Sequence, residues 1–119
     1  MKDKNDFRKL LNHLIKISEK KSLTTYEEVA NLLDLNLDNP EDHFQILPEL
    51  LSDINEYMEE ENKPMITALI VLKNSRPYTC GEGFFNLMNT MKKISPKEDK
   101  QLFWAKEISK IHNEDWSEI

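Results

Sequence analysis

The chain is 119 residues long, 39% hydrophobic and 32% charged, with 22 acids against 16 bases and a net charge of -6, the size and make-up of one soluble globular domain. These figures exclude a uniformly basic nucleic-acid coat and, with only two glycines and five prolines, a collagenous or low-complexity chain. A single cysteine can form neither an internal disulfide nor a four-cysteine zinc site.

The longest uninterrupted apolar run, residues 68–72, is far short of the roughly 20 residues that cross a bilayer. The polar start of the chain lacks the apolar region of a secretory signal, so a cytoplasmic protein is expected.

Phe7, Leu10, Leu11, Leu14 and Ile15 follow the spacing of an amphipathic helix. Arg8, Lys9, Asn12, Lys16, Glu19 and Lys20 fall on its other face. A second helix starts at Thr24 or Thr25, with Glu27 or Glu28 as the reciprocal partner of a capping box, and carries Tyr26, Val29, Ala30 and Leu33 inward. Asn39 before Pro40, Glu41 and Asp42 combines a cap, a proline and acids at the positive end of the helix dipole, which starts a third helix. Pro48 predicts a break or kink near Leu47, with a main segment over 48–61 that turns Leu47, Leu51, Ile54 and Met58 inward, Leu50 and Tyr57 beside them.

Residues 65–72 are nearly all apolar and rich in isoleucine and valine, the pattern of a buried strand. Polar residues 73–76 then form a turn, and 77–80 return as a short edge strand that tolerates proline, giving a β-hairpin. Gly81 and Gly83 break that element before Phe84, Leu87, Met88 and Met91 resume helical spacing. Ser95-Pro96-Lys97-Glu98 signals the start of a last helix with Leu102, Ala105, Ile108 and Ile111 on one side and Phe103 and Trp104 flanking. Trp116 is expected to pack back. Phe84, Phe85, Met88, Met91, Phe103 and Trp104 are read as core between the last two helices, with a docking groove as the alternative.

The expected fold is therefore α+β: a mostly helical, winged-helix-like domain with one β-hairpin and two added C-terminal helices. It forms a single domain over 1–119, with a winged-helix-like core at about 5–80 and a helical extension at about 83–116.

The net charge hides a partition. Residues 1–24 hold seven bases against three acids, residues 25–63 one base against twelve acids, residues 64–112 eight bases against four acids, and the tail three acids. In a winged helix the third helix enters the DNA major groove, but here Glu56, Glu59, Glu60 and Glu61 would oppose the counterion release on which DNA affinity rests. Nucleic acid would instead be met by Arg8, Lys9 and Lys16 of the first helix with Lys73 and Arg76 at the hairpin tip, or by the lysines of the last helix. Conversely, Glu56, Glu59, Glu60 and Glu61 can present carboxylates to a basic protein partner, as an acidic inhibitor of a nucleic-acid enzyme does.

Cys80, His13, His43 and His112 are the nucleophile and base candidates, and none sits in a local motif with triad or metal-ligand spacing. Glu59, Glu60 and Glu61 point around a helix rather than at one atom. Gly81-x-Gly83 lacks the third glycine, lysine and hydroxyl of a phosphate cradle. No catalytic residue, cofactor or metal is assigned, and the chain is read as a non-enzyme.

Four segments, Thr25-Tyr26-Glu27-Glu28-Val29-Ala30, the Lys63-Pro64-Met65-Ile66-Thr67-Ala68-Leu69-Ile70-Val71 run, Gly81-x-Gly83-Phe84-Phe85 and Phe103-Trp104, resemble those of a family of small uncharacterised bacterial and phage proteins. That family has a Y-x-E-x-A helix, a K-P-x-x-(S/T)-A-x-x-V strand and a G-x-G-F-F helix start; Asn62 stands where it usually has glycine. The second helix and the Pro64 strand are also faintly similar to the winged-helix domain of alkyltransferase-like DNA-repair proteins. The Pro-Cys-His-Arg segment of true alkyltransferases is absent, so alkyl transfer is not implied. The resemblance implies a binding role without identifying a ligand, and the chain is expected to be a binding module acting through protein–protein contacts in bacterial or phage regulation or defence. Nucleic-acid binding and acidic inhibition are the alternatives.

Overall fold

The computed structural model describes residues 4–73, 80–117 and 119, and for Lys4 the backbone alone. Helix α1 (Lys4–Glu19) arises where the sequence places it: Leu10, Leu11 and Leu14 are buried, and its polar face is in solvent. Strand β1 (Thr24–Thr25) leads directly into α2 (Tyr26–Leu32). Thr25 caps α2 by accepting the Glu28 amide at 3.2 Å, while the Glu28 carboxylate accepts the Thr24 hydroxyl at 2.6 Å. The capping pair thus uses both threonines.

Asn39 starts the next helix, its side-chain oxygen accepting the Glu41 amide at 2.9 Å. Pro48 produces no break. A π-helical turn (Asp42–Ile46) runs straight into α3 (Leu47–Glu60), and the Leu47 amide donates to the Asp42 carbonyl five residues back. The wider turn takes up the proline, whose ring would clash with the carbonyl four residues earlier in α winding.

Of the expected buried strand, residues 65–71 are buried and Leu72 is exposed, and the segment is mostly not a strand. Ile66–Leu69 form a 3₁₀ turn, and only Ile70–Val71 are extended, as β2. Three residues per turn aim successive side chains in different directions, and this turn packs against α1, α3 and α5 (Lys100–His112) together. Strand β2 pairs in parallel with β1, Thr24 opposite Ile70 and Thr25 opposite Val71. Of the expected return strand, residues 77–79 lie outside the described residues, as does Arg76. Among the described residues the fold is thus mostly helical with a small two-stranded parallel sheet.

Helix α4 (Glu82–Thr90) buries Phe84, Phe85 and Met88. The Ser95–Glu98 signal closes only a turn, Glu98 accepting the Ser95 amide at 3.0 Å and Ser95 the Lys97 amide at 3.1 Å. Asp99, extended in backbone, caps α5 instead through the Leu102 amide at 3.0 Å. The inward face of α5 is also rotated from the expected one. Trp104, Glu107 and Ile111 are buried, whereas Leu102 and Ala105 are exposed. Two polar anchors set that rotation: the Trp104 indole donates to the Ala68 carbonyl at 2.8 Å, and Glu107 accepts the Met65 amide at 2.7 Å.

Trp116 packs back as expected, its indole donating to Ser18 Oγ at 3.0 Å while that hydroxyl donates to the Ile111 carbonyl at 2.8 Å. One hydrophobic cluster runs from Leu10 to Trp116 through every helix. Each of α1 to α4 ends on a left-handed residue that is not glycine: Lys21, Asp34, Asn62 and Lys92, with φ of 53, 55, 55 and 61°. Amides five residues on close these ends, Lys63 to Met58 and Lys93 to Met88 both at 2.8 Å, the Schellman arrangement. Among the described residues no helix is long and apolar enough to cross a membrane.

Candidate binding groove

The face where α2, the π turn, α3 and α4 meet encloses a cavity of about 670 Å³, within the size range of ligand sites. Each wall follows from local sequence. The helical phase of α3 that buries Leu47 also brings Leu51 and, one turn on, Asn55 to the groove. The π turn swings His43 and Phe44 to its mouth, α4 contributes Phe84 and Leu87, and α2 contributes Tyr26 and Glu27.

Phe44 is 71% exposed and stacks on His43, ring centroids 4.4 Å apart. The His43 Nδ1 lies 3.0 Å from the Leu37 carbonyl, which fixes that ring. Among the described residues three large hydrophobic side chains are exposed, and two of them, Phe44 and Leu72, line this groove. Contiguous exposed apolar patches mark interaction surfaces, and these two side chains border one apolar groove.

At one end Tyr26 meets Gly81. Burial pushes the Tyr26 phenol above its ordinary value of 10.0, partly offset by a hydrogen bond from the Gly81 backbone. A Cβ on Gly81 would lie 3.2 Å from the Tyr26 hydroxyl, so the glycine permits this close approach.

At the floor lies Asn55, 1% exposed. Its Oδ1 accepts the Thr67 hydroxyl at 2.8 Å, and among the described residues its Nδ2 has no hydrogen-bond partner. An unsatisfied buried donor costs about 1–3 kcal/mol. Thr67 is held in turn by the 3₁₀ turn, which Trp104 and Glu107 pin from α5.

The residues singled out in the sequence fall elsewhere. Glu56, Glu59, Glu60 and Glu61 are exposed along the end of α3, and Glu59 is ion-paired with Lys93. Arg8, Lys9 and Lys16 are exposed on α1, and Lys73 is exposed after β2. His13, His43 and His112 stand on three different elements, and Cys80 is buried. Among the described residues no three His, Cys, Asp or Glu side chains gather as a metal site needs.

Sequence reasoning missed Phe44, Asn55 and Thr67. The signal for Asn55 was present: it stands four residues after inward Leu51, a polar residue in an apolar phase. Phe44 had none, because its exposure depends on the π winding. Comparison with protein-family models, with curated proteins and with solved structures found no match for this chain.

Proposed function

We propose that this protein is a non-enzymatic binding module that holds an apolar segment of a partner protein in the groove between α2, α3 and α4. It acts in the cytoplasm in bacterial or phage regulation or defence. The observation that carries this reading is the collection of Phe44 and Leu72 on a largely apolar groove. The order α1, β1, α2, α3, β2, α4, α5 is compatible with a winged-helix-like core followed by a C-terminal extension, with β1 and β2 paired in parallel.

The test is affinity capture from a nuclease-treated bacterial lysate. A partner retained by the parent chain and by Leu102→Ser, and lost from Leu51→Glu and Phe44→Ser, supports the reading. Equal retention by all four overturns it.

A second reading, nucleic-acid binding, is favoured by the exposure of Arg8, Lys9 and Lys16 along α1. It predicts affinity that falls steeply with salt and with substitution of those residues, Lys73 and Arg76. The remaining alternative, acidic inhibition through Glu56, Glu59, Glu60 and Glu61, predicts that the captured protein is a nucleic-acid enzyme.

A further inference from the structure

The groove's floor and its α3 flank define the chemistry of the segment it takes, an inference that rests on the groove reading above. Asn55 is the first observation. One end of the amide serves the fold, its Oδ1 accepting the buried Thr67 hydroxyl, while the Nδ2 donor finds no acceptor among the described residues. A buried donor without a partner calls for an acceptor, and in the wall of a groove a bound segment can bring one. The missing group is an acceptor, and an apolar peptide carries a neutral one, its main-chain carbonyl, at every residue.

The second observation is charge. Glu49, Asp53, Glu56 and Glu60 recur at spacings of four, three and four, which sets them in one stripe along α3. All four are exposed, and among the described residues none forms an ion pair, unlike neighbouring Glu59. Glu49, Asp53 and Glu56 each follow a groove-lining residue, Pro48, Ser52 and Asn55, by one position. The stripe therefore runs beside the groove, one step around the helix. Glu27 stands on the α2 wall, and the described lining contains no lysine or arginine.

We propose that the groove selects a partner segment in which bulky apolar residues are flanked by lysine or arginine. One main-chain carbonyl of that segment receives the Asn55 amide, and its basic flank lies along the Glu49–Glu60 stripe. The Asn55 side chain rotates toward the groove on binding, which brings its N–H out from beneath the lining. The apolar anchors supply affinity through Leu51, Phe84 and Phe44, and the acids supply selection, because an acidic flank meets like charge along the whole helix.

The experiment is selection of a random-peptide phage library on the immobilised full chain. The dominant peptide is then titrated by fluorescence anisotropy against the parent, Leu51→Glu, Asn55→Leu and the double variant Glu56→Lys/Glu60→Lys, each checked for folding by circular dichroism. The expected peptides are apolar with lysine or arginine flanks. Both Asn55→Leu and the double variant weaken binding about tenfold, corresponding to roughly 1.4 kcal/mol, and the double variant also loses the salt dependence of the parent.

If enriched peptides carry no excess of basic residues, or bind the double variant and Asn55→Leu as tightly as the parent while Leu51→Glu abolishes binding, this inference is overturned and the groove reading stands. If no peptide is enriched, or Leu51→Glu binds like the parent, the groove reading falls and this inference with it. The two charge-reversed positions are exposed, so the double variant keeps the test decisive even where Asn55→Leu disturbs the floor.

Discussion

Replacing Glu107 by alanine removes the acceptor that holds the Met65 amide at 2.7 Å in the core. Met65 precedes the 3₁₀ turn that carries Thr67, so the contact bears on the groove floor as well as on stability. A hydrogen bond to a charged group contributes about 1.5–3 kcal/mol, and the amide left behind is buried and unsatisfied, which places the loss near 2–3 kcal/mol. Against a total of roughly 6–18 kcal/mol for a chain of this length, that is a substantial fraction. It corresponds to a fall in Tm of about 8–12 °C, taking about 4 °C per kcal/mol. Glu107→Gln keeps an oxygen acceptor without the charge and should lose about 1 kcal/mol, since neutral hydrogen bonds are about half as strong. Lys110 lies 3.7 Å from Glu107 but is 68% exposed, so Lys110→Ala should lose no more than about 0.5 kcal/mol. Urea denaturation followed by the fluorescence of the two buried tryptophans, Trp104 and Trp116, measures all three. A Glu107→Ala variant within about 0.5 kcal/mol of the parent would refute the reasoning, as would a Lys110→Ala variant that loses as much as Glu107→Ala.

Lys92 ends α4 at φ 61°, a conformation that costs a side-chain-bearing residue about 1 kcal/mol. Lys92→Gly should therefore raise stability by up to about 1 kcal/mol in the same urea assay, and a loss would contradict the assignment. Tyr26 titrates near 10.0 in the unfolded chain and higher in the folded one, where burial favours its neutral form. Its contribution is thus intact below the unfolded value and is lost as pH rises from there through the folded value. Tyr26→Phe should lose less urea stability than the parent between about pH 9 and about pH 11; parallel losses in the two proteins would contradict this.

Helices were legible in the sequence wherever one apolar stripe met one neighbour. The spacing of Phe7 to Ile15 gives α1, and the threonine caps give the start of α2, because both signals are local. The 3₁₀ turn was not legible. A run in which every residue is buried carries no periodicity, and its winding is set by the three helices around it rather than by its own residues. The rotated face of α5 was hidden for a related reason: Glu107 points inward to satisfy the Met65 amide, a demand that arises only in the assembled fold, and so inverts the rule that charge marks the outer face.

The groove was legible only in part. Leu47, Leu51 and Phe84 were visible as inward residues, and the acidic bias of the third helix was plain from counting. What the sequence concealed was that Pro48 would be accommodated by a π turn, which carries Phe44 into solvent at the mouth of the groove. The charged residues that the sequence put forward, Glu56, Glu59, Glu60 and Glu61, are exposed along the end of α3 and do not line the groove.

Site-specific photo-crosslinking tests the groove most directly. A benzophenone amino acid placed at Phe44, at the groove's mouth, is compared with one at Leu102, which is 54% exposed and does not line the groove. The account predicts a discrete covalent adduct with one partner protein from position 44 in a nuclease-treated lysate, suppressed by excess peptide from the library selection, and none from position 102. Equal labelling from both positions, or none from position 44, would contradict it.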